Sequence, residues 1–293
     1  MERLPVFFVG TRYIGGWWEK GYYFSTFYTM PYLGALLLIG FVIWVFMVKP
    51  RVKKKRVKTD RVGGSGVSDG ERKILEDTVA FYRKLSVEDK GRFEKDVVSF
   101  LDSCIVTGVG FELSDTDRML VAASAVIPIF GFPNWMYRNL NEVLLYPNSF
   151  NGQYETQGED RSIAGMVGWG AMNRTMILSR QSLHEGFENE HSKSNVGIHE
   201  FVHLIDKSDA AVDGIPESIM QKQYIIPWLK LMHEEIREIR ERHSDINPYG
   251  ATNESEFLSV VSEYFFNQPE LLERKHPELY AALERMFRQD PAE

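Results

Sequence analysis

Residues 197–206 read GIHEFVHLID, and the reading of these ten residues decides what kind of fold the chain must build. Two histidines stand four apart, with a glutamate directly after the first. On a helix, positions i and i+4 lie one above the other, so His199 and His203 can present two imidazoles to one metal ion. Glu200 sits beside them, close enough to hold a metal-bound water without being a ligand. There it would accept the water's proton and pass it to a leaving amine. Ile198, Phe201, Val202 and Ile205 form the adjoining apolar stripe that would bury the helix. Asp206, seven after His199, falls on the histidine side as an acceptor for an imidazole N–H. The bland alternative is a helix with accidental histidines. With seven histidines in the chain, a chance H-E-x-x-H has an expectation of roughly 0.01.

A catalytic zinc needs a third protein ligand and an open position for water. Cys104 is the only cysteine, which excludes an intrachain disulfide and a Cys-based zinc site. Lying between Leu101 and Ile105, it reads as a small buried hydrophobe and not a nucleophile. His184 and His191 fall in the polar segment LHEGFENEHSKSN (residues 183–195), which reads as a loop with solvated histidines. His233, His243 and His276 sit among charges and read as solvated helix-surface residues. Residues 249–266, YGATNESEFLSVVSEYFF, differ. Phe257, Val260, Val261 and Tyr264 make a buried stripe, and Glu256 and Glu263 share a neighbouring face. Carboxylates on so apolar a helix need a partner, which a metal site would provide. Spacing alone does not choose between them.

The rest of the chain sets the context. Residues 21–48 contain no charged residue, and residues 30–48 (MPYLGALLLIGFVIWVFMV) are long and apolar enough to span a bilayer as a helix. Trp17, Trp18, Tyr22, Tyr23, Tyr28 and Tyr32 suit an aromatic belt at its outer interface. A cleaved signal peptide fits less well, because the apolar run starts late and is followed by charge instead of a small-residue cleavage site. Residues 49–61 carry eight Lys/Arg against one Asp, so the positive-inside rule places the N-terminus outside and everything after residue 49 in the cytoplasm. The expectation is a single-pass protein of the inner, cytoplasmic membrane whose basic stretch contacts anionic lipid. Against −7 for the whole chain, +7 in residues 49–61 and +1 in residues 1–48 leave −15 over residues 62–293. That charge would repel phosphate backbones, so nucleic acid is excluded as a partner.

Four segments follow: an extracytoplasmic stretch (1–29), a transmembrane helix (30–48), a basic juxtamembrane segment with the linker GGSGVSDG (49–70), and one catalytic-size domain (71–293). Within the last, residues 71–85 carry a helical stripe. Residues 86–103 and 114–130 each open on a capping-box pattern, Ser86 to Asp89 and Ser114 to Asp117. Residues 142–147 and 175–180 read as short strands flanking a Gly-rich stretch, residues 152–170. Helices resume near residue 195 and cover 226–242, 254–267 and 277–287. The class is α+β, mostly helical with a small sheet.

The motifs together carry a resemblance. FYRKLSVEDKGRFEKDVVSFL, LSDTDRMLVAASAVIPIFGFPN, EVLLYPNSF, GIHEFVHLID, DGIP, YGATNESEFLSVVSEYFFNQPELL and LYAALERMFRQDP follow one another over residues 80–291. In that order the chain resembles the Mlc titration factor A family of zinc-dependent peptidases, whose catalytic part is similar to the C-terminal domain of anthrax lethal factor. The resemblance implies a zincin-like metallopeptidase domain acting on a peptide or protein substrate. It implies Zn²⁺ held by His199, His203 and Glu256, with Glu200 as general base. It also implies that Tyr249, seven before Glu256, donates to the oxyanion, and that Glu263 stands behind the ligands. The membrane segment departs from the family's usual soluble form, and no residue here identifies a surface for a regulatory protein partner. An alternative is a regulatory protein that sequesters a cytoplasmic partner, such as a transcriptional regulator, at the membrane. An intact general base beside two histidines favours the enzyme.

Overall fold

Local signals start the first helices. Ser68 accepts from the Glu71 N–H while the Glu71 carboxylate accepts from the Ser68 N–H, a reciprocal cap that opens α1 (Asp69–Thr78). The stripe expected to run unbroken to residue 85 stops at Val79, fully buried and extended, and resumes as α2 (Ala80–Lys84). Phe81 and Tyr82, both on α2, stand about 100° apart around its axis and meet different partners. The Phe81 ring meets Phe93, Phe130 and Phe266, and the Tyr82 hydroxyl donates to Glu94. Ser86 caps α3 (Val87–Ser103), and buried Cys104 leads into β1 (Ile105–Gly108).

This computed structural model describes residues 66–151, 163–168, 174–189 and 191–293, all within one compact unit, Arg61–Glu293. The apolar run read as membrane-spanning and the basic stretch after it lie outside the described residues. Among the described residues, no helix is long and apolar enough to cross a membrane.

The second reciprocal cap, Ser114 with Asp117, opens α4 (Asp115–Ile129), whose residues 119–128 are all buried. A helix apolar on every side belongs in the middle of a core. Around it lie β2 (Glu142–Tyr146), β3 (Gly165–Val167), β4 (Thr175–Ser179), α5 (Arg180–Glu188), α6 (Val196–Asp206), α7 (Ile225–Arg240), α8 (Glu254–Asn267), α9 (Pro269–Lys275) and α10 (Pro277–Phe287). The sheet order is β1-β2-β4-β3, with β1, β2 and β4 parallel and β3 antiparallel to β4 at one end. The arrangement is α+β and mostly helical, as the sequence indicated, with two further short strands, β1 and β3.

Close packing at small residues fixes α6. A Cβ on Gly197 would lie 2.1 Å from Ser124 Oγ, so only glycine lets α6 approach α4 this closely. On the other side α6 lies along α8, and its N-terminus is capped by Asn195, whose side chain accepts from the Ile198 N–H.

Two histidines depart from the sequence reading. His184 lies not in a loop but on α5, its Nε2 2.7 Å from Asp117, a fully buried carboxylate that also pairs with Arg180. His276 is not solvated but set between Glu235 and Asp245. In both cases the partner is an acid distant in sequence, which no local pattern reveals. His191, His233 and His243 are exposed.

Candidate metal centre

Helix α6 carries His199, Glu200 and His203, and α8 brings Glu256 across to them. Asn253 caps α8 by accepting from the Glu256 N–H, so the third donor, the carboxylate, sits on a fixed first turn. His199 Nε2, His203 Nε2 and Glu256 Oε2 converge. His199 Nε2 is 3.0 Å from Glu256 Oε2 and 3.1 Å from His203 Nε2, and His203 Nε2 is 3.3 Å from Glu256 Oε2. These three side chains form the one His/Cys/Asp/Glu group among the described residues able to hold a metal ion. Donors about 2.0–2.1 Å from a tetrahedral ion stand about 3.3 Å from one another. The three observed edges, 3.0–3.3 Å, lie at or within about 0.3 Å below that length.

The hydrogen bonds behind the imidazoles fix their tautomers. His199 Nδ1 lies 2.7 Å from Glu263 Oε1, and the other Glu263 oxygen accepts from the Asn195 N–H. A carboxylate can only accept, so the proton is on His199 Nδ1. His203 Nδ1 lies 3.1 Å from Ser255 Oγ and 3.2 Å from Ser259 Oγ. Ser255 donates its one hydroxyl proton to Asp206 Oδ2 at 2.8 Å, leaving lone pairs for His203 Nδ1–H. With both Nδ1 atoms donating, neutral imidazoles turn two Nε2 lone pairs onto one carboxylate oxygen. Three acceptors facing one point need a cation there. The same demand appears in proton affinities. Burial pulls the His199 imidazole towards its neutral form, but Glu256 and Glu263 raise its pKa to about 10. Burial opposes ionisation of Glu256 too, yet the two histidines hold it well below the usual carboxylate range.

Asp206 is therefore not the direct imidazole partner expected from its spacing. It acts one bond further out, through Ser255, and the same Oδ2 accepts from the Gly214 N–H in the turn after α6. Gly214 has φ +73°, and a Cβ there would lie 2.4 Å from the Glu254 carbonyl. Only glycine serves where this turn approaches the start of α8.

Glu200 is buried against β3. A Cβ on Gly165 would fall 2.5 Å from Glu200 Cγ and 2.6 Å from its Oε1, so the carboxylate occupies the space a side chain would take. Burial raises the Glu200 pKa against the attraction of His199 and His203. Tyr249 sits in the 3-10 turn Pro248–Ala251, 52% exposed, its ring centroid 6.0 Å from that of His199. Partial burial and the adjacent Glu256 charge raise its pKa, so it stays a donor.

The centre opens on both sides. A cavity of about 900 Å³ is lined by Ala164, Gly165, His199, Glu200 and Tyr249 among others, and one of about 340 Å³ by Val167, Glu200, His203, Tyr249 and Glu256 among others. β3 lines both, with Gly165 common to the two. Ser179 donates to Ala164 and Gly168 donates to the Thr175 carbonyl, so the residues of β3 facing β4 are the even ones. The N–H and C=O groups of Gly165 and Val167 point away from β4. Sequence reasoning missed Gly165, Ser255, Ser259 and Asn195. Only Asn195 left a signal, as a capping residue just before an apolar periodic run.

Comparison with known proteins agrees with this geometry. Residues 52–288 match the family described as glucose-regulated metallo-peptidase M90. The protein slr2042 of Synechocystis sp. is 29% identical over 231 residues, covering 74% of this chain and 83% of its own length. Mlc titration factor A of Pectobacterium atrosepticum is 28% identical over 193 residues, 61% of this chain and 71% of its own. Its counterpart in Serratia proteamaculans is 29% identical over 203 residues, 64% and 74% respectively.

Proposed function

The chain belongs to the glucose-regulated metallo-peptidase M90 family, and from that premise we propose that it is a membrane-tethered zinc metallopeptidase hydrolysing peptide bonds on the cytoplasmic side. One observation carries the reading: three donor atoms, from His199, His203 and Glu256, spaced 3.0–3.3 Å apart with both imidazoles oriented from behind. Two nitrogens, one carboxylate oxygen and an open fourth side suit catalytic zinc.

Bound zinc supplies Lewis-acid polarisation of a carbonyl and acidification of a water molecule. The protein's own groups do the rest. Glu200, its proton affinity raised by burial, takes the proton of the attacking water and delivers it to the departing nitrogen. Tyr249 donates its phenolic proton in a hydrogen bond to the carbonyl oxygen as charge develops there. Glu263 and the Ser255–Asp206 pair hold the imidazoles in the tautomer that ligation requires. The outward backbone groups of Gly165 and Val167 offer an extended substrate a strand to pair with, laying its amide beside Glu200.

The tether rests on the sequence: residues 30–48 as the membrane helix, residues 49–61 against anionic lipid, the N-terminus outside. The name of the Pectobacterium and Serratia relatives, Mlc titration factor A, favours a second reading, a regulatory protein that sequesters a cytoplasmic partner. Glu200→Gln separates the two. A peptidase loses turnover while keeping its metal, whereas a protein acting only by sequestration is unaffected. For topology, protease added outside intact cells should leave the domain of residues 71–293 uncut; its digestion would overturn the orientation.

A further inference from the structure

A third pocket, of about 160 Å³, is walled by residues that pack on the face of α6 opposite the metal ligands. Phe201 points about 200° around the helix from both His199 and His203, and its ring packs on Phe100 and Tyr137, 5.6 and 5.1 Å between centroids. Those two rings, with Phe132 and Trp135, wall the pocket, and Asp96 of α3 stands in it. Trp135 meets Tyr137 edge-on at 4.7 Å.

Asp96 is the unexplained group. It is half-buried, and among the described residues it has no hydrogen bond or ion pair. Burial raises its pKa against an opposing pull from the Arg92 charge. Arg92, one turn before it, is committed elsewhere: its guanidinium donates to Asp89 and to the Phe130 carbonyl and lies over the Phe130 ring. No Lys, Arg or His is among the described residues lining the pocket. A carboxylate without a partner among aromatic walls is complementary to a cation, which would gain both the charge pair and the ring faces. The volume suits one side chain, being close to the roughly 150 Å³ of a cavity that takes benzene. Met136, 55% exposed beside Trp135, gives the mouth an apolar lip on which the rest of a polypeptide can rest.

We propose that this pocket receives a single arginine or lysine side chain presented by a polypeptide partner, at a site separate from the metal centre. The test titrates the full-length chain, labelled with 5-fluorotryptophan, and reads the Trp135 fluorine resonance, assigned with Trp135→Phe. The probes are acetyl-Gly-Gly-Arg-Gly-Gly-amide and the same peptide with neutral citrulline for arginine. The arginine peptide should shift the resonance saturably, and the citrulline peptide should bind at least about tenfold more weakly. Asp96→Asn should abolish that discrimination while leaving metal content and any peptide turnover unchanged. Equal response to the two peptides, or none, overturns the proposal without reference to any variant. If n-butylguanidinium alone binds and the arginine peptide does not, a polypeptide partner is refuted in favour of a free organic cation.

Discussion

Glu263→Gln separates the two carboxylates of α8 by their physical tasks. Glu263 accepts twice, from His199 Nδ1–H at 2.7 Å and from the buried Asn195 N–H. Glutamine has one acceptor oxygen. If that oxygen stays on His199, the amide N–H₂ opposes the Asn195 N–H; if the amide flips, His199 loses its acceptor. Either way one buried donor is left unsatisfied, at about 1–3 kcal/mol. The charge behind the imidazole is lost as well, and such changes weaken metal binding about 10- to 100-fold. Zinc affinity measured by chelator competition should fall by that factor, and the melting temperature should drop in the metal-free protein. Glu256→Gln replaces the anionic donor itself with a neutral amide oxygen and should fall further. Full zinc affinity in Glu263→Gln, or loss of zinc in that variant with retention in Glu256→Gln, would refute the assignment of roles.

Gly165→Ala places a methyl where the Glu200 carboxylate lies, so turnover should collapse while zinc stoichiometry by metal analysis stays at one; retained turnover would show that Glu200 has room to spare. In the metal-free protein His199 is raised to about 10, and ligation needs the neutral ring. Zinc binding at pH 7 should therefore release a proton, with affinity rising about tenfold per pH unit towards 10. Calorimetry in buffers of different ionisation enthalpy checks this, and an absence of proton release contradicts it. Asp117 is depressed because Arg180 and His184 outweigh its burial. Its stabilisation is therefore complete above the ordinary aspartate range and lost as pH falls through its lowered pKa. Asp117→Asn strands that buried site and should cost about 3 kcal/mol in urea unfolding at neutral pH.

The extent to which the sequence revealed the site follows helix geometry. His199, Glu200 and His203 are local on α6, and their four-residue spacing suffices to place two imidazoles on one face. Glu256 and Glu263 are seven apart, about 20° off alignment on a helix, so the pattern cannot rank them. The crossing of α8 over α6 does, setting Glu256 at the Nε2 side of His199 and Glu263 at the Nδ1 side. Ser255 and Ser259 were invisible because a serine on an apolar helix has no pattern that marks it as an imidazole acceptor. β3 was hidden because three residues inside a Gly-rich stretch show no alternation. The α+β class was legible from the capped helices and the apolar runs that became β2 and β4, whereas His184 and His276 were misread because Asp117 and Asp245 reach them through tertiary packing.

The most direct measurement is anomalous X-ray diffraction at the zinc edge from crystals of the zinc-loaded protein. One peak is expected, about 2.0–2.2 Å from His199 Nε2, His203 Nε2 and a Glu256 oxygen, with the fourth side open towards Glu200. A peak bound through Glu263, a fourth protein ligand closing the site, or no peak between α6 and α8 would contradict a catalytic zinc centre here.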